Sequence, residues 1–144
     1  MRPVSGALGS FPVKLDEKGR IILPSRARNL LADGVYFSTG PDQCLFMFSP
    51  DQFARFCKRY RKKPPAGMTP RAFDRVFFGS VKNQTPDKQG RVTIPPELRK
   101  YASLEREAVV VGLEKRLELW DAGHWQAYLD THQEQYASLQ DGLR

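Results

Sequence analysis

Arg20 and Arg91 each follow a glycine, and each has an aspartate four residues upstream, Asp16 and Asp87. The runs Asp16-Glu17-Lys18-Gly19-Arg20-Ile21-Ile22-Leu23-Pro24 and Asp87-Lys88-Gln89-Gly90-Arg91-Val92-Thr93-Ile94-Pro95 share one pattern. It reads D-x-x-G-R, then three residues dominated by branched apolar types, then proline. Two chemistries fit these types at this spacing. An arginine leaving the backbone beside a glycine can grip a phosphate or read guanine O6 and N7 in a bidentate way. It can also pair with the upstream aspartate and lock a turn. Lys14, Lys18, Arg26 and Arg28 surround Arg20 in sequence, so DNA contact is the expectation for Arg20 and these four, with Lys14 and Lys18 supplying phosphate attraction. Arg26 and Arg28 belong to a short helix and have plain surface as their alternative. At the second motif Gln89 stands where Lys18 stands in the first, so the expectation for Arg91 is a turn ion pair with Asp87. Asp16, Gly19, Asp87 and Gly90 are expected to shape the turns: aspartate can bond its own turn backbone and glycine can take φ > 0.

The charge balance underlies that distinction. The 144-residue chain carries a net +7. Residues 1–75 hold 14 Lys/Arg against 6 Asp/Glu, and residues 76–144 hold 9 against 10. A basic half suits a polyanion, of which nucleic acid is the commonest. By this argument only the first motif meets DNA.

The elements that must position these residues are themselves repeated. Asp87 lies 71 positions after Asp16, and Gly40 to Phe53 aligns with Gly112 to Trp125 at an offset of 72. Leu45, Met47, Phe48 and Phe53 fall on Leu117, Leu119, Trp120 and Trp125. Repetition at fixed spacing marks two copies of one structural unit. Val13 to Asp16 and Arg20 to Leu23 read as a hairpin around Glu17-Lys18-Gly19. Ser25 to Leu31 reads as a short helix opened by Pro24. Val35 to Thr39 and Cys44 to Phe48 read as a second strand pair. Ser49-Pro50-Asp51 is a helix start, with Phe53, Phe56, Cys57 and Tyr60 as one apolar stripe. Asp121 opens the equivalent helix, with Trp125, Tyr128, Leu129 and His132 as its stripe. The expected organisation is repeat 1 over 10–52, a linker over 61–75 centred on the Pro-rich run Lys63 to Pro70, repeat 2 over 81–124, and a polar tail over 133–144. Each unit is too small to bury a comfortable core alone, so the halves are expected to pack on each other.

Several classes are excluded. No apolar run approaches the ~20 residues that span a bilayer. Met1 to Ser10 reads as a loose tail, without the charged and apolar regions of a signal peptide. Cys44 and Cys57 read as reduced thiols packed as small apolar groups. His124 and His132 stand alone and no C-x-x-C spacing occurs, so neither a metal nor another cofactor is expected. Phe46, Met47, Phe48, Phe53, Phe77 and Phe78 exceed what two small units would hide, which points to subunit contacts and a homo-oligomer.

The residues also carry a family resemblance. Leu15-Asp16-Glu17-Lys18-Gly19-Arg20, Gly40-Pro41-Asp42-Gln43-Cys44-Leu45, Phe77-Phe78-Gly79-Ser80, Arg91 to Arg99, Val110-Val111-Gly112 and Leu117 to Asp121 span most of residues 9–125. Together they resemble the MraZ family of bacterial transcriptional regulators, built on the SpoVT/AbrB-type swapped-hairpin DNA-binding unit. The resemblance implies an α+β, mainly β fold: a double-psi or swapped-hairpin barrel of two repeats with short flanking helices. It implies several chains closed into a ring that presents the first motif to short tandem repeats in the promoter of the division and cell-wall gene cluster. It also implies a cytoplasmic, nucleoid-associated protein and not an enzyme. Ala7 stands where the family commonly has Phe, which loosens any contact that Phe would make. An antitoxin-like or scaffold protein, whose barrel binds another protein, is the alternative. Gly9-Ser10 and Gly79-Ser80 resemble the self-cleaving bond of pyruvoyl decarboxylases, but no acid–base or nucleophile–base pairing accompanies them.

Overall fold

Leu45 to Phe48 and Leu117 to Trp120 are buried without interruption, which is the signature of central strands covered on both faces. A computed structural model describes residues 7–140. Among the described residues eight strands form: β1 (Gly9–Lys14), β2 (Arg20–Ile22), β3 (Val35–Thr39), β4 (Leu45–Phe48), β5 (Lys82–Gln84), β6 (Arg91–Thr93), β7 (Glu107–Gly112) and β8 (Leu117–Asp121). Five α-helices accompany them among the described residues: α1 (Ser25–Arg28), α2 (Pro50–Lys62), α3 (Pro70–Phe77), α4 (Pro96–Tyr101) and α5 (Ala122–Ala137). No helix of the described residues is long and apolar enough to cross a membrane.

Six strands make one antiparallel sheet in the order β1-β7-β8-β4-β3-β5. The repeats meet at its centre, where Leu45 pairs with Leu119 and Met47 with Leu117. Outside that centre the repeats exchange strands. β1 pairs with β7 from Gly9↔Gly112 to Lys14↔Glu107, and β5 pairs with β3. β2 and β6 form a separate two-stranded ribbon. Pro12 sits on the edge strand β1, where a missing N–H costs no ladder bond.

Two expectations are corrected here. The hairpin expected between Val13–Asp16 and Arg20–Leu23 is not a paired ladder. The chain does reverse at Asp16, whose N–H donates to the Arg20 carbonyl at 2.9 Å. Beyond that bond the two flanks part, each to pair with the other repeat. Nor does the strand ladder close into a barrel, since β1 and β5 remain as edges. The ribbon joins the sheet chiefly by packing Ile21, Leu23, Val92 and Ile94 into the main core.

Strand alternation divides the apolar residues between the two faces of the sheet. Phe37, Leu45, Met47, Val110, Leu117 and Leu119 share the first core with the ribbon, α1 and α4. Phe46, Phe48, Val111 and Trp120 form a second core with Phe53 and Phe56 of α2, Phe73 and Phe77 of α3, and Trp125 and Tyr128 of α5. The ribbon and the long helices therefore lie on opposite faces. The second core also revises the argument for subunit contacts. Phe46, Met47, Phe48 and Phe77 are buried within the chain, and Phe53 and Phe78 are half-buried against them. The surplus aromatics are used internally.

The helix starts behave as their caps dictate. The Gln52 N–H donates to Ser49 Oγ at 3.1 Å and the Ser49 N–H donates to Gln52 Oε1 at 3.0 Å. The His124 N–H donates to Asp121 Oδ2 at 3.0 Å. Thr69 caps α3 in the same way, accepting from the Ala72 N–H at 3.1 Å. Thus, of the expected linker over 61–75, residues 61–62 end α2 and residues 70–75 are helical in α3, with Pro70 at a first-turn position that tolerates it. Helix α5 extends through Ala137, into the segment expected to be a tail. Of the expected loose tail Met1 to Ser10, residues 1–6 lie outside the described residues, but the rest is part of the fold: Ala7 is buried in the main core, and Gly9 and Ser10 pair with Gly112 and Val111. Cys44 and Cys57 are free. Burial pushes the Cys44 thiol far above its ordinary range, which suits an apolar packing role.

Candidate nucleic-acid interface

The two motif turns have the same geometry. Asp16 Oδ1 accepts from the N–H groups of Lys18 and Arg20, both at 2.9 Å. Arg20 Nε donates to Asp16 Oδ2 at 2.7 Å. Asp87 Oδ1 accepts from Gln89 and Arg91 at 2.9 Å, and Arg91 Nε donates to Asp87 Oδ2 at 2.7 Å. The ion pair expected at Arg91 is present, and an identical one holds Arg20. Pairing therefore does not distinguish the two arginines. In both, the aspartate engages only Nε, which fixes the plane of the guanidinium. The terminal nitrogens keep their donors for an outside acceptor. Arg20 and Arg91 side chains are 28% and 32% exposed.

These hydrogen bonds also set the carboxylates' acidity. The Arg20 backbone N–H, chiefly, holds the Asp16 carboxyl below the usual aspartate range, helped by the Arg20 guanidinium and the Lys18 N–H. The Arg91 backbone N–H and then its guanidinium do the same for Asp87. A folded-state value below the unfolded one gives stability that is present above the unfolded value of about 3.9 and is lost as pH falls through the folded value. Thermal melts should thus be insensitive to these groups from pH 7 to about 5 and fall below about pH 4. Asp16→Asn with Asp87→Asn should flatten that acid limb. An unchanged acid limb in the double variant would exclude the turn carboxylates as its source.

The arginines are brought together by the ribbon. Arg20 pairs with Thr93, Ile21 with Val92, and Ile22 with Arg91. Backbone bonds extend the pairing at both ends, from the Ile94 N–H to the Gly19 carbonyl and from the Leu23 N–H to the Gly90 carbonyl, each 2.8 Å. Ile21 and Val92 point into the core, so Arg20, Ile22, Arg91 and Thr93 line the outer face. Ile22 is 54% exposed there.

The turns are each covered by a helix arginine of the other repeat. A Cβ placed on Gly19 would collide with a terminal nitrogen of Arg99 on α4. One on Gly90 would lie 2.9 Å from Nε of Arg28 on α1, which also donates to the Leu23 carbonyl at 3.2 Å. Both glycines have φ of +77°. Gly19→Ala should cost about 1–2 kcal/mol from left-handed strain alone and should displace Arg99. Urea denaturation reads the first effect; wild-type stability in the variant would mean that the turn relaxes freely.

Of the residues expected around Arg20, Lys18 lies on its turn, and Lys14 ends β1 opposite Glu107. Arg26 is exposed on α1, while Arg28 is carried to the second turn. Arg99 was missed by the sequence reading, although it lies 71 positions after Arg28, the same offset as the motifs. Because α1 and α4 cross between repeats, net charge per half does not describe charge per turn. The first turn gathers Glu17, Lys18, Arg20 and Arg99, and the second gathers Lys88, Arg91 and Arg28.

A groove of about 370 Å³ lies on the opposite face of the sheet, lined by Phe46, Val111, Arg116, Trp120, Trp125 and Tyr128 among others. Arg116 stacks 4.0 Å above the Phe46 ring and pairs with buried Glu118 at 2.8 Å, while the Trp120 indole N–H donates to Glu118 at 3.0 Å. In repeat 1 the counterpart surface is covered by α3, with Phe77 stacked on Phe56 at 4.8 Å.

Comparison with known proteins matches residues 7–76 and 77–141 to the family described as "MraZ protein, putative antitoxin-like". The transcriptional regulator MraZ of Salinispora arenicola is 43% identical over 136 residues, covering 94% of this chain and 96% of that one. Those of Paenarthrobacter aurescens and Frankia alni are 43% and 42% identical over 134 residues, covering 93% of this chain and 94% of each relative. Two family units over nearly the whole described chain, and relatives matched along almost their full length, make this chain a member of the MraZ family.

Proposed function

We propose that this protein is a sequence-specific DNA-binding transcriptional regulator, a repressor of the bacterial division and cell-wall gene cluster, that reads short tandem promoter repeats with the β2–β6 ribbon. The observation that carries this reading is one ribbon face holding two arginines, each fixed at Nε and open at its terminal nitrogens. A major groove admits a two-stranded ribbon, and arginine pairs with guanine in a bidentate way. Arg20 and Arg91 both read bases in this account. Lys18, Lys88, Arg28 and Arg99 supply phosphate attraction beside the ribbon, with Lys14 and Arg26 farther along the same approach. The protein acts on the nucleoid in the cytoplasm. Relatives named transcriptional regulators support the class of function. The exchange of strands between repeats supports reading the fold as a swapped-hairpin pair.

Assembly into a closed ring multiplies a weak single contact through effective concentration. Support for it comes from the groove beside Trp125 and Tyr128, where repeat 2 has no counterpart of α3 among the described residues. A neighbouring copy covers that groove in the proposed ring. Light scattering at micromolar concentration should give a mass several times the 16.4 kDa chain; a single-chain mass would overturn the ring.

Selection of bound duplexes from a random pool tests the function. Recovered sites should contain direct short repeats. Random recovered fragments, with a protein partner captured instead, would favour the antitoxin-like reading that the family description carries.

A further inference from the structure

We propose a second DNA-binding surface: the outer face of the α2–α3 helical hairpin holds the phosphate backbone of a duplex, independently of the ribbon. Residues 50–77 contain eight Lys/Arg against two Asp/Glu, a net +6 of the chain's +7. The protein's excess charge thus resides on this hairpin, not at the motif turns. Arg55, Lys58, Arg61, Lys62, Arg71 and Arg75 are exposed, and none belongs to any ion pair among the described residues. Of the two acids, Asp51 sits in the first turn of α2, away from the basic end. Asp74 accepts a hydrogen bond from the Tyr60 hydroxyl at 2.6 Å. That bond, with the Tyr60 ring stacked on Phe73 at 5.0 Å, fastens α3 to α2 and joins their basic faces into one surface.

The chemistry of the surface selects its partner. Arg55, Lys58 and Lys62 recur at i, i+3 and i+7, a stripe along one helix face. The aromatic faces of both helices are spent on the second core, and the exposed large apolar side chains of the hairpin are Met68 and Val76 alone among the described residues, too few to enter a lipid bilayer as an interfacial helix does. No exposed aromatic anchor lies on the hairpin of the kind that dominates protein–protein hot spots. What remains is a field of exposed, unpaired cations, which suits sequence-independent phosphate contact. Because this surface and the ribbon lie on opposite faces of the sheet, a duplex held here is a different segment from the one the ribbon reads. The protein can therefore join two stretches of DNA.

The test uses the full chain and a duplex of about 20 base pairs with arbitrary sequence, titrated by fluorescence anisotropy over a salt series. One variant carries Arg55→Gln, Lys58→Gln, Lys62→Gln and Arg75→Gln, all exposed positions where glutamine keeps helix propensity. The other carries Arg20→Ala and Arg91→Ala. The glutamine variant should melt as wild type does, bind the arbitrary duplex at least tenfold more weakly at about 0.1 M salt, and flatten the log–log salt slope by about 0.9 per lost contact. The ribbon variant should lose preference for selected sites and keep most of its binding to the arbitrary duplex. Wild-type affinity and slope in the glutamine variant would overturn the proposal. So would polyglutamate, or vesicles of anionic lipid, bound more tightly than duplex at equal charge. Loss of site preference in the wild type itself would sink the ribbon reading and leave this surface standing, so the two failures are distinguishable.

Discussion

Arg20→Ala and Arg91→Ala are each expected to remove specific DNA binding while leaving the fold intact. One bidentate arginine–guanine contact is worth about 1–3 kcal/mol, or about 5- to 150-fold in affinity per ribbon. When several ribbons of one assembly engage spaced repeats, the losses multiply. The two variants should fall together, because the arginines share one ribbon, one kind of aspartate partner and similar exposure. A titration on a selected site, beside a thermal melt, separates binding from stability. Loss confined to Arg20→Ala would restore the argument from charge per half. Wild-type affinity in both would refute the ribbon as the reading element.

The largest effect on stability is expected at Phe48→Ala. Phe48 is fully buried, and its ring contacts Phe53 and Phe56 of α2 at 5.4 Å and Phe46 at 5.8 Å. Truncating a buried phenylalanine costs about 3–5 kcal/mol, from lost transfer energy and the cavity left behind. Against a total stability of about 5–15 kcal/mol, that is enough to populate unfolded chains at moderate temperature. Urea denaturation should show a lower midpoint. A midpoint within error of wild type would mean that α2 collapses into the gap, and that the second core contributes little.

The local features were legible because local chemistry dictates them. Ser49 and Asp121 are good caps whatever the rest of the chain does, and a D-x-x-G-R turn forms from its own aspartate and glycine. The repeat was legible from spacing alone. What escaped the sequence was which copy of an element meets which. β1 and β2 satisfy the same alternation whether they pair with each other or with β7 and β6, so periodicity cannot choose between a local hairpin and an exchange. The exchange is what carries Arg28 to Gly90 and Arg99 to Gly19, and it made net charge per half a poor guide to charge per turn. Helix α3 was hidden by prolines at 64, 65 and 70 that suggest a linker, although Thr69-Pro70 is a cap followed by a tolerated first-turn proline. Its Phe73 and Phe77 then stack on Tyr60 and Phe56 of α2, so Phe77, one of the aromatics that had suggested a subunit contact, is buried within the chain.

The central claim is that the outer face of the ribbon touches DNA bases. A photo-crosslinking residue at Ile22, which lies on that face between Arg20 and Arg91, tests it most directly. The control carries the same group at the exposed Gln126 of α5, on the other side of the sheet. Irradiation with a selected duplex should give crosslinks from position 22 that map to bases within the repeats, and none there from position 126. Base crosslinks from position 126 with none from position 22 would contradict the account.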